Sequence, residues 1–200
     1  MRIYKAAVLV VVMLFCGESW SESGHEVAVS LYNDAGVPRK ALADAMTIAG
    51  RIFSQGGLEI VWTDCSGTER SSSVCERPEG MVIRVIPKSL TFRDTIFGAA
   101  FLASDGAGQV ADVFYDRVLD LHSTARVDVG RILGQVFSHE LGHLLLGVHS
   151  HSRIGVMKAN WDRNDLEKIA RGGSLQFSAD ESQRMQYRIQ ESSVIREAVR

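Results

Sequence analysis

His139 and His143 stand four positions apart in the run His139-Glu140-Leu141-Gly142-His143. On an α-helix that spacing puts both imidazoles on one face, one turn apart. Two imidazoles so held can bind one Zn²⁺, and the adjacent carboxylate of Glu140 can act as general base towards a water that the ion acidifies. The run continues Leu144-Leu145-Leu146-Gly147-Val148-His149-Ser150-His151, so four of the chain's six histidines fall within residues 139–151. Packing alone does not call for such a cluster. A catalytic zinc site takes three protein ligands and keeps one position open for water. The plainer alternative is a closed four-ligand site holding both His149 and His151, which would leave Glu140 without a task.

These residues need a helix to carry them. Asp128 is placed to cap one running from Val129 to Leu146, and Gly147 to end it, with His149–Asn160 as loop. Upstream, Val27–Tyr32 reads as a strand, followed by the turn Asn33-Asp34-Ala35-Gly36. Pro38 can open a helix in which Leu42, Ala45, Met46, Ala49, Ile52 and Phe53 recur at helical spacing, until Gly56-Gly57 stops it. Leu58–Thr63, Met81–Ile86 and Ala111–Tyr115 read as three further strands. Residues 96–109 are rich in Gly and Ala, with Asp105-Gly106-Ala107-Gly108 as a turn, and lack the Gly-Lys-Ser/Thr of a phosphate loop. Downstream, Leu166–Ala170 is a short helix, and Ser178 with Glu181 forms a capping box for a last helix to about Glu197. The expected architecture is α+β (mixed α/β): a twisted mixed sheet carrying a long metal-binding helix, then a short C-terminal helical subdomain. Tyr115 would border a substrate groove if strand 111–115 were the sheet edge.

The first residues follow other rules. Arg2 and Lys5 precede the apolar run Ala6–Phe15, and small polar residues follow, as in a secretory signal. Residues 1–22 are therefore expected to be a signal peptide, and 23–200 a single catalytic domain, secreted or periplasmic. The apolar run is short for a membrane span. Cys16 raises a lipid anchor, but bulky Phe15 before it argues against one. Cys65 and Cys75 remain, and an even pair in an exported chain points to a disulfide. A net charge of −2 over 200 residues leaves no electrostatic footprint for nucleic acid or an anionic membrane.

The metal stretch resembles the metzincin endopeptidases, whose pattern is H-E-x-x-H-x-x-G-x-x-H followed by a Met-turn. By position, that resemblance implies His149 as third ligand and Met157, in Ile154-Gly155-Val156-Met157, as the Met-turn floor under the metal. The chain departs from the pattern at one place: Leu146 occupies the glycine position and Gly147 comes one residue late. One extra helical residue rotates the exit by about 100°, which favours a later ligand. The chain also resembles a sparsely characterised group of exported bacterial metallopeptidase-like proteins. It shares their H-E-[IL]-G-H-L-L-L-G at His139–Gly147, His151-Ser152, Gly155-Val156-Met157, Trp161 and Leu175-Gln176-Phe177, along with the strand Val113–Arg117 and the Cys65/Cys75 loop. This second resemblance implies His151 as third ligand, and His151 is favoured over His149. Glu167, the position a gluzincin would need, lies in an Asp-Leu-Glu-Lys context unlike that family's second motif.

The expectation is a secreted zinc metallopeptidase hydrolysing a peptide or protein substrate. Its rivals are a non-catalytic exported module that binds zinc or peptide, and a zinc hydrolase of a non-peptide substrate. Retention of Glu140 favours an enzyme, since metal binding alone does not require it.

Overall fold

A computed structural model describes residues 25–67, 73–92 and 95–198, with side chains to residue 191. The expected signal segment and Cys16 lie outside the described residues. Five strands form one sheet: β1 (His25–Asn33), β2 (Leu58–Asp64), β3 (Met81–Ile86), β4 (Gly98–Phe101) and β5 (Val110–Phe114), in the order β2-β1-β3-β5-β4. All neighbours pair parallel except β4, which runs antiparallel to β5. The helices are α1 (Arg39–Gln55), α2 (Ser73–Glu76), α3 (Tyr115–Ala125), α4 (Val129–Leu146), α5 (Arg163–Ala170) and α6 (Ala179–Ala198). The α+β architecture is the one expected from the sequence. Among the described residues no helix is long and apolar enough to cross a membrane.

Alternation along the strands explains which face of the sheet is covered. Val27, Val29, Leu31, Ile83 and Val85 are buried, while Glu26, Glu59 and Arg84 stand exposed. On that outer face Arg84 and Asp112, register partners on β3 and β5, form a bidentate ion pair at 2.7 and 2.9 Å.

Helix α4 is buried over nearly its whole length because it is sandwiched. The sheet lies on one side of it and α1 on another. Leu42, Ala45, Ala49, Ile52 and Phe53 supply the apolar stripe of α1. Close approach of the two helices needs small residues: a Cβ on Gly134 would lie 2.7 Å from Ile48 Cβ, and one on Gly130 2.8 Å from Asp44 Cβ. Asp128 caps α4 through the Arg131 N–H, as expected. Gly147 ends it in the left-handed region at φ +65°, a conformation that favours glycine.

Several elements differ from the sequence expectation, and helices α2 and α3 were not expected at all. Tyr115 is not the end of a strand; β5 stops at Phe114 and Tyr115 opens α3. Nor is that strand the edge, since β5 sits between β3 and β4. The edge on that side is β4, in the Gly- and Ala-rich segment for which no strand was expected. Its Gly-Ala-Ala-Phe sequence carries no β-branched residue, so local propensity gives no strand signal. Pairing with β5 creates it. Helix α5 also begins earlier than its apolar pattern shows, because Asp162 and Asp165 form a capping box at its start.

Cys65 and Cys75 are buried and bonded to each other, with Cα atoms 5.6 Å apart. Closing this loop contributes on the order of 3 kcal/mol in the chain-entropy account.

Candidate metal centre

Helix α4 presents His139 and His143 on one face, with ring centroids 4.7 Å apart. After Gly147 the chain folds back, and two backbone carbonyls of the returning loop take the rings' Nδ1 atoms. His143 Nδ1 meets Val148 O at 2.8 Å, and His139 Nδ1 meets Val156 O at 2.8 Å. A carbonyl can only accept, so both Nδ1 atoms carry the hydrogen. In a neutral ring that leaves a lone pair on Nε2, and the two Nε2 atoms face each other at 3.1 Å. Two lone pairs at that distance repel unless a cation lies between them. Nitrogens sharing a tetrahedral zinc at about 2.0–2.1 Å would be roughly 3.3 Å apart. The donor set therefore fits zinc, and the carbonyl partners are those expected to fix the tautomer of a metal-binding histidine.

The same loop brings in His151. Its ring centroid is 5.2 Å from that of His139 and 4.9 Å from that of His143. Ligand atoms of His139, His143 and His151 all lie within 4.8 Å of one another. His149 is exposed, with its centroid 6.3 Å from that of His143, and is not in this group. The late Gly147 is compatible with the return: Val148 already contacts His143, and His151 follows within the same loop. Glu167 is half-buried on α5, in ion pairs with Arg163 and Arg171, and is not in this group.

Glu140 points from α4 towards the edge strand and is 4% exposed. The Ala100 N–H of β4 donates to its carboxylate. Gly98 makes room for it: a Cβ there would lie 2.6 Å from Glu140 Oε1 and 2.8 Å from Asp112 O. Burial pushes the Glu140 carboxyl up to about 8, against the opposing pull of Ala100. Burial also lowers His139 to about 4, with His143 and His151 adding to the effect. His143 and His151 are lowered too, again chiefly by burial. At all three histidines burial thus favours the neutral form that binds metal.

Met157 is 1% exposed and lies under the helix. A Cβ on Gly142 would come within 2.5 Å of Met157 Sδ and 2.9 Å of Phe177 Cε1. Gly155 closes this turn at φ +78°, where a Cβ would meet Gln176 O at 2.3 Å. Gly142→Ala gains helix propensity but overpacks the floor, and overpacking costs about 1–3 kcal/mol. At roughly 2–4 °C per kcal/mol for a chain of this size, its Tm should fall by several degrees; thermal unfolding followed by circular dichroism checks this. Trp161 stacks on Phe97 at 5.7 Å, joining the segment after Met157 to the start of β4.

Sequence reasoning missed β4 with Gly98 and Ala100, and the contact between Ser152 and Glu181. The capping box of Ser178 and Glu181 was the one available signal for the latter. His25 is half-buried and His122 exposed, and neither joins the cluster.

No family model and no curated protein matches the chain. Among solved structures it is similar to archaemetzincin from Methanopyrus kandleri, at 17% identity and TM-score 0.57, over 85% of this chain and 99% of that one. It is similar to a zinc-dependent peptidase from Methanocorpusculum labreanum, at 13% identity and TM-score 0.55, over 78% of this chain and 99% of that one. It also resembles metalloproteinase-II from Bacteroides fragilis, at 14% identity and TM-score 0.54, covering 85% of this chain and 55% of that one. At these identities the likeness is one of fold: the chain has a zinc-metallopeptidase-like fold.

Proposed function

We propose that this protein is an exported zinc-dependent peptidase, with His139, His143 and His151 as ligands and Glu140 as general base. The observation that carries the reading is the triangle of three imidazoles with a buried carboxylate beside it, under the outer edge of β4. Zinc, when bound, supplies a Lewis acid that polarises a carbonyl and acidifies water.

The chain's own groups account for the rest. An extended peptide can add to the unpaired edge of β4 by main-chain hydrogen bonds, which places a peptide bond above α4. Glu140 takes a proton from the attacking water onto a carboxylate oxygen and passes it to the leaving nitrogen. A carboxylate placed beside the three histidines can do both. Ala100 N–H holds that carboxylate in place, and Gly98 leaves space for it. Export agrees with the amino-terminal charge and hydrophobicity pattern and with the Cys65–Cys75 bond.

The test is digestion of a mixed peptide library by the mature, zinc-loaded protein. Cleavage that stops on chelation and returns with zinc supports the reading. A zinc-loaded protein that cleaves nothing in the library would overturn it in favour of a binding module or another substrate.

A further inference from the structure

We propose that Glu181, in the first turn of α6, is a positioning residue for His151, acting through the hydroxyl of Ser152. This rests on the reading of His151 as a zinc ligand. Glu181 is 4% exposed, and both its carboxylate oxygens are engaged. Oε2 accepts from the Ser178 N–H at 2.7 Å, which completes the helix cap. Capping needs no more than that. Oε1 reaches away from the helix and accepts the hydroxyl of Ser152, the residue next to His151.

His151 has need of such a tie. His139 and His143 are each oriented by a carbonyl at Nδ1. Among the described residues no such carbonyl bond to His151 is seen, and its ring is exposed. Its placement therefore depends on the backbone that carries it. Ser152 secures that backbone from two directions, since its N–H also donates to Met157 O at 2.8 Å. The post that Glu181 stands on is itself fixed. Met185 of α6 is fully buried, and Gln186 Nε2 donates to Gly56 O at 2.7 Å, beyond the end of α1. Helix α6 thus holds the metal loop against the body of the protein and sets His151, rather than His149, towards the other two histidines.

Zinc affinity by competition with a chromophoric chelator tests this, with the visible spectrum of the Co²⁺-substituted protein as a second readout. Ser152→Ala and Ser178→Ala each delete one hydroxyl that meets Glu181, so both should lower Tm modestly. Only Ser152→Ala should weaken zinc binding, by about 10–100-fold as for other outer-shell partners, and alter the Co²⁺ spectrum. Ser152→Thr, which keeps the hydroxyl, should restore both. Native affinity in Ser152→Ala, equal losses in the two alanine variants, or no rescue by threonine would overturn the proposal and leave the metal reading standing. A native protein that binds no zinc would end both.

Discussion

Glu140→Ala is expected to lower kcat/KM on any cleaved peptide by about 10²–10⁴-fold, the range for removing a general acid–base group. Zinc binding should survive, because the histidine Nδ1 atoms are oriented by Val148 and Val156 rather than by Glu140. The loss should fall on kcat more than on KM, since in the proposed mechanism the carboxylate meets the attacking water and the leaving nitrogen, not the peptide's side chains. Glu140→Gln separates shape from proton transfer. It keeps the volume and an oxygen for the Ala100 N–H but cannot accept the proton, so it should be almost as inactive as the alanine variant. Steady-state kinetics with zinc content measured on the same samples decides this. Activity within a few-fold of native in either variant, with zinc bound, would remove Glu140 from the mechanism.

The second large effect is expected at the third histidine. His151→Ala should weaken zinc binding by more than the roughly 10–100-fold that loss of an outer-shell partner costs, because on the proposed assignment a direct ligand is removed. His149→Ala should leave affinity near native. The two residues sit two positions apart in one loop, so a general loosening of that loop cannot produce such a contrast. Competition titration of the two purified variants measures it. Equal losses would mean that both rings reach the metal, and a loss confined to His149→Ala would reverse the assignment.

The paired α4 histidines and Glu140 were legible in the sequence because their relation is local. A spacing of four on a helix is set by helix geometry, and Asp128 and Gly147 mark where that helix starts and stops. The stripe of α1 and the capping box of α6 could be read for the same reason: cap and partner lie within one turn of each other. Strands β1, β2 and β3 carry β-branched and apolar runs that announce themselves.

The edge of the sheet could not be read in this way. Strand β4 exists because β5 offers hydrogen bonds and because Gly98 fits beneath Glu140, a contact between distant parts of the chain. Taken alone, Gly-Ala-Ala-Phe has no reason to be extended. Tyr115 was misplaced by the same limit, since the apolar run of β5 continues into α3 and only pairing shows where it stops.

The sequence by itself determined that two histidines four apart share one face of a helix, that Glu140 accompanies them, and that two later histidines are available to join. Tertiary structure decided which of them comes near. His151 is brought within reach by carbonyl contacts from Val148 and Val156, by Ser152 closing on Met157, and by Glu181 on a separate helix. A loop without regular structure has no period, so its path is set by the surfaces it touches rather than by the order of its residues.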